Sequence, residues 1–194
     1  TGRAALADGN VELAVSRLEQ AKSLIFQRDL DNILALAYKE EFEKTHDLIY
    51  LEKEKTLLLI DAISSIDPVV FSRLAEIYES QLALGKAANY ATEALRLDPA
   101  NNLKYYYQVL TIQRKRGEAI DQKLKAKTLA ILAGYKDFLR SNRHTTVLTN
   151  NPEYASKLYG FFGLASEKKE IDKIWLEELL KFTVKYGAPR AMSP

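Results

Sequence analysis

Between Phe71 and Pro99 the apolar and small residues recur in steps of three and four. They fall at Phe71, Leu74, Ala75 and Tyr78, then at Ala87, Ala91, Ala94 and Leu95. Such steps place each set on one face of a helix. Gly85 lies between the sets and is expected to end the first helix, because a residue without a Cβ turns left-handed cheaply. Asp98-Pro99 is expected to stop the second helix, since the residue before a proline is pushed out of the α region. The stretch therefore predicts two short antiparallel helices, each with one adhesive face. Ala75, Ala87, Ala91 and Ala94 would let the two backbones approach closely.

The same periodicity extends along the chain. Gly9-Asn10 predicts a turn, followed by a helix presenting Val11, Ala14, Val15, Leu18 and Ala21. Leu30, Ile33, Leu34, Ala37, Tyr38 and Phe42 make the next amphipathic helix, with Asp29 or Asp31 as its N-cap. A turn at Thr45-His46-Asp47 leads into a helix facing inward through Leu48, Leu51, Leu58, Leu59, Ala62, Ile63 and Ile66, and Asp67-Pro68 is expected to close that pair. Beyond Pro99, Asn101 or Asn102 caps a helix that ends at Arg116-Gly117. A long helix is then expected from Glu118 to Arg140, and a polar loop over 141–151. Asn151-Pro152 restarts a helix. A last one, from about Lys168 to Tyr186, carries Trp175 on a large apolar face suited to closing the end of the core. The tail, 188–194, has no pattern.

The order Phe71-x2-Leu74-Ala75-x2-Tyr78, then Ala87-x3-Ala91, then Pro99 resembles the tetratricopeptide repeat (TPR) pattern. Phe71 stands in its tryptophan slot and Ala75 in its glycine slot. Ala91 departs from the aromatic slot, and Leu82-Ala83 occupies the usual Gly-Asp turn, so the near-consensus match is confined to one repeat at about 69–101. Ala14-x3-Leu18-x2-Ala21 resembles the family's second-helix signature. Counting back sets Thr1-Gly2 on its Leu-Gly pair, with further repeats expected N-terminally. The two Asp-Pro stops lie 31 residues apart, against about 34 for the family.

The resemblance implies an all-α, TPR-like right-handed α-solenoid of about ten antiparallel-paired helices. Residues 1–140 would form repeats and 152–187 a capping helix pair. It also implies a scaffold or adaptor that binds another protein, as a helix or an extended segment, along the concave face made by successive first helices. By register that face includes Ser72, Glu76 and Glu79 on one repeat. On the next it includes Tyr106, Leu110 and Gln113, with Arg114 at the edge. The alternative is that Tyr106 and Leu110 simply pack on a neighbouring repeat. Tyr105, Tyr106 and Tyr107 cannot all face one core, because consecutive helical residues point about 100° apart.

Composition narrows the chemistry. The chain has 194 residues, 47% hydrophobic and 28% charged, as an ordinary globular protein does. No apolar run approaches the length of a membrane span. The start, which is not Met, reads as a processed or trimmed end. With no cysteine there is no disulfide and no thiolate chemistry, which fits cytoplasm or periplasm. Glu43-x-x-His46 has the spacing of half a di-iron carboxylate site, but the second half would need a Glu where position 141 is serine. There is no Gly-rich phosphate loop. No catalytic activity, cofactor or metal is expected.

Charge is unevenly distributed. Residues 101–144 carry a net +7 and residues 1–100 a net −6. Arg114, Lys115, Arg116, Lys123, Lys125, Lys127, Arg140 and Arg143 form the basic set. Lysines two apart on a helix do not form one stripe, so a solvated face is the simpler reading. The functional alternative is a site for nucleic acid or another polyanion. Association of the acidic half of one copy with the basic segment of another is a third.

Overall fold

The computed structural model describes residues 2–24, 28–99, 102–140 and 151–186. These residues contain ten helices and no strand: α1 (Gly2–Ala7), α2 (Val11–Leu24), α3 (Arg28–Thr45), α4 (Leu48–Ala62), α5 (Pro68–Ser80), α6 (Leu84–Leu97), α7 (Leu103–Lys115), α8 (Gln122–Arg140), α9 (Asn151–Phe161) and α10 (Ala165–Tyr186). They fall into two compact units, 1–97 and 98–194. The expected tail, Arg143 and residues 141–150 of the loop expected over 141–151 lie outside the described residues, and Asn151 belongs to α9 instead.

Five helix hairpins result, and each first helix ends on a residue with positive φ: Gly9, His46, Leu82, Gly117 and Gly163. At Gly9, Leu82, Gly117 and Gly163 the following N–H reaches back five residues, as from Ala83 to the Tyr78 carbonyl at 2.9 Å. This closes off the last turn of the helix and satisfies its orphan carbonyls. His46 achieves the same with a single bond from its N–H to the Phe42 carbonyl at 2.8 Å. Gly85 therefore does not end α5. It sits inside α6, and Leu82, three residues earlier, takes the left-handed conformation despite its Cβ.

Side chains cap the starts. Asp47 accepts from Ile49 N–H at 2.9 Å, Asp67 from Val69 N–H at 2.9 Å and Asn102 from Lys104 N–H at 3.2 Å. Asp67-Pro68 thus opens α5, with proline at its first position, rather than closing the preceding pair. Asp121 accepts from the N–H groups of Lys123 and Leu124, so the long helix begins at Gln122 instead of Glu118. Asp31 lies inside α3 and pairs with Lys22 at 2.6 Å, so it is not the cap.

In the first unit the helices pack in chain order, each on the next, from α1 to α6. Of the predicted core of α5–α6, Phe71, Leu74, Ala75, Tyr78, Ala87, Ala91 and Ala94 are buried and Leu95 is half-buried, while Ile77, outside the predicted set, is buried with them. A Cβ on Gly2 would lie 2.6 Å from Leu18 Cγ, so α1 and α2 touch where only glycine fits. In the second unit α7 packs on α8 and α9, and α10 on α8 and α9. Its core holds Leu103, Tyr105, Tyr106, Leu110, Ile112, Leu132, Leu158 and Ile171. Trp175 is 37% exposed rather than buried, because Ile171 is the α10 residue that faces inward.

Candidate functional site

The expected groove positions separate into two kinds. Ser72, Tyr106 and Leu110 are buried. The Tyr106 hydroxyl donates to the Pro99 carbonyl at 2.6 Å, fixing the ring in the core of the second unit. Glu76 and Glu79 on α5 are half-buried, and Arg73 pairs with Glu76 at 3.0 Å. On α7, Gln113 is half-buried and its Oε1 has no hydrogen-bond partner. Arg114 is exposed, donates to the Phe161 carbonyl at 2.7 Å and lays its guanidinium 3.5 Å above the Phe161 ring.

The basic set is largely engaged within its own unit. Arg116 pairs with Glu118 at 2.8 Å. The ammonium groups of Lys125 and Lys127 lie 5.9 and 5.7 Å over the rings of Phe162 and Tyr106. Lys115 and Lys123 are exposed. The side chain of Arg140, like Arg143, is outside the described residues. Arg114, Lys115 and Arg116 stand at the end of α7, and Lys123, Lys125 and Lys127 in the first turns of α8.

Among the described residues no three of His, Asp and Glu are placed to hold a metal ion. His46 is exposed and meets the Phe42 ring edge-on at 6.1 Å, so its geometry serves the end of α3. No helix among the described residues is long and apolar enough to cross a membrane.

Two features escape periodicity. The first is a run of exposed aliphatic side chains around the α4–α5 connection: Ile60, Ile63, Ile66 and Val69, with Ile63 and Ile66 at 86% and 84% exposure. The apolar spacing expects Leu48, Ile63 and Ile66 to face inward, but all three are exposed: Leu48 opens α4, and Ile63 and Ile66 fall between the end of α4 and the cap at Asp67. The second is a polar cluster of the first unit. The Tyr38 hydroxyl donates to Glu19 at 2.7 Å, Lys53 binds the same carboxylate oxygen at 2.7 Å, and its ammonium lies 5.2 Å over the Tyr38 ring. A cleft of about 420 Å³ opens beside them. The hydrogen bond from Lys53, then that from Tyr38, hold the Glu19 carboxyl below its ordinary value. Burial, then Glu19, pushes the Tyr38 phenol up.

No family model matches the chain, and no curated protein does. Solved structures do. A crystal structure of MamA aligns with a TM-score of 0.55 at 16% identity, over 95% of this chain and 97% of that one. A second MamA structure gives 0.53 at 18% identity, over 100% and 94%. A protein of Podosopora anserina described as a kinesin light chain with nearly identical TPR-like repeats gives 0.54 at 14% identity, over 89% of each chain. At these identities the likeness establishes the fold: an all-α, TPR-like helical repeat of the solenoid class.

Proposed function

We propose that this chain is a non-catalytic protein-interaction scaffold. The observation that carries the reading is the combination of a helix-hairpin repeat with large aliphatic side chains left in water. Ile63 and Ile66 are almost fully exposed, and exposed apolar patches on repeat proteins are the usual sites of partner contact. A rigid stack of hairpins offers such a surface with little ordering cost on its own side. In this reading Glu76 and Glu79 are candidate contact positions on the first unit by register, and Gln113 and Arg114 are candidates on the second, each unit taken by itself. Ser72, Tyr106 and Leu110 support them from the core.

The test is a pull-down from native lysate with the whole chain as bait, treated with nuclease and washed in low and then high salt. The scaffold reading expects one or a few proteins to survive both. Glu76→Ala with Glu79→Ala, or Ile63→Asp with Ile66→Asp, should release them while leaving helix content unchanged. Material that leaves with nuclease or salt alone would transfer the function to the basic segment, because phosphate-driven binding falls steeply with ionic strength.

A further inference from the structure

The left-handed helix ends give a common register for the first helices. Five residues before Gly9 stands Ala4, which is exposed; five before His46, Leu82, Gly117 and Gly163 stand Glu41, Ile77, Ile112 and Leu158. These last four are buried, and three of them are aliphatic, as a core position should be. Glu41 is the exception. It is 9% exposed, and its Oε2 is buried without a hydrogen-bond partner. A buried carboxylate oxygen without a partner is disfavoured, whereas a buried aliphatic residue fills the same slot before Leu82, Gly117 and Gly163.

Glu41 does not face a closed core. It lines an open cleft of about 430 Å³ between the end of α3 and the turn joining α1 to α2. Asp8 and Glu12 line the same cleft. So does Lys44, but its ammonium is bound to the Gly9 carbonyl at 3.2 Å rather than to Glu41. Three carboxylates and one engaged lysine leave the cleft with an excess of negative charge. Among the described residues, no three of His, Asp and Glu are placed to hold a metal ion.

We infer that this cleft receives the guanidinium of an arginine from a basic segment of a partner protein, with Glu41 as its buried anchor. Guanidinium is planar, weakly hydrated and presents donors in a fork, so it can reach Glu41 and a rim carboxylate together. Glu41 supplies the buried charge, and Asp8 and Glu12 supply the attraction at the mouth. The inference names the partner chemistry for the scaffold reading and rests on that reading.

The experiment titrates the full-length, isotope-labelled chain with N-acetyl-arginine amide and with its neutral isostere, N-acetyl-citrulline amide, at low ionic strength. The Gly9, Asn10 and Glu12 amide resonances are followed. Saturable shifts are expected with arginine, at least about tenfold weaker with citrulline, and weaker with N-acetyl-lysine amide. Glu41→Gln should remove them. Glu41→Ile, which restores the aliphatic slot, should remove them while raising the melting temperature. Asp8→Asn with Glu12→Gln, both on the surface, should weaken them without affecting the fold. Equal shifts with citrulline, or unchanged shifts in Glu41→Gln, would overturn the inference. Arginine binding with no protein retained in the pull-down would instead remove the scaffold reading that the inference builds on. Retained partners with no arginine effect would remove the cleft alone.

Discussion

Arg73 on α5 grips Glu54 on α4 through two parallel hydrogen bonds, Nε to Oε1 at 2.6 Å and Nη2 to Oε2 at 2.9 Å, with Glu54 only 2% exposed. The pair joins the second helix of one hairpin to the first helix of the next. Both carboxylate oxygens are satisfied, which is what makes a buried ion tolerable. Removing one partner strands the other, so Arg73→Ala should cost about 3 to 5 kcal/mol. The double change Glu54→Leu, Arg73→Met should be near neutral by the same argument. Urea denaturation of the three proteins decides it. Arg73→Ala as stable as wild type would mean that the pair contributes nothing to the α4–α5 contact.

Leu82 stands in the left-handed region at φ 58°, with its side chain 83% exposed. The side chain contributes little packing there, while its Cβ is strained by about 1 to 2 kcal/mol. Leu82→Gly should therefore stabilise the protein by up to about 1 kcal/mol, the entropy of glycine taking back part of the gain. A lower melting temperature in Leu82→Gly would show that the exposed leucine packs on something after all.

Gly2 tests the close approach of α1 to α2. A Cβ there meets Leu18 Cγ at 2.6 Å and Cδ2 at 2.9 Å, and the Ala14 carbonyl at 3.3 Å. The contact at Cγ is not one that a rotating methyl can avoid. Gly2→Ala is expected to lose about 1 to 3 kcal/mol, read as faster hydrogen exchange in α1 and α2. Unchanged exchange in α2 would mean that α1 swings away at no expense to the fold.

Acid should release the Glu19 cluster. The folded pKa of Glu19 lies below its ordinary value of 4.5, mainly through the hydrogen bond from Lys53. Its contribution is therefore present above the ordinary carboxylate range and is lost as pH falls through the folded value. Glu19→Gln should flatten the acid limb of the stability curve, most visibly as pH falls from the ordinary carboxylate value of 4.5 through the lower folded value. Parallel curves for Glu19→Gln and wild type would contradict this.

Tyr106→Phe removes the hydroxyl bound to the Pro99 carbonyl and should cost about 0.5 to 1.5 kcal/mol. Tyr106→Ala also opens a cavity, at about 3 to 5 kcal/mol. A partner-binding defect in Tyr106→Ala would consequently report on the core of the second unit, and Tyr106→Phe separates the two effects.

Helix spacing was legible because it depends on which residues must leave water. Phe71, Leu74, Tyr78, Ala87 and Ala91 are in the core for the reason their periodicity implies. Turn chemistry was less so. A glycine rule points to Gly85, but hydrogen bonding from Ala83 to Tyr78 closes the helix three residues earlier, on a leucine. Asp-Pro pairs mark both kinds of boundary, and only the bond from Val69 to Asp67 tells that one of them is a start. The spacing of 31 between those pairs is therefore not the repeat length; the interval between left-handed residues is. Glu41 was invisible for a different reason: a pattern of apolar positions treats any glutamate as surface. Trp175 misled through size, since a large aromatic residue on a helix face need not be the residue that turns inward.

The left-handed helix ends also bear on how the chain is made. Each hairpin is closed by bonds between residues at most five positions apart, and in the first unit each helix packs on the next in sequence. In that unit no distant segment has to arrive before an early hairpin is complete, so the entropy of loop closure is small at each of its steps. During synthesis the earlier hairpins of the first unit are expected to form while later ones are still being translated, each new one in that unit docking on a finished surface. Nascent chains stalled after α4 and after α6 should then resist protease in ascending order.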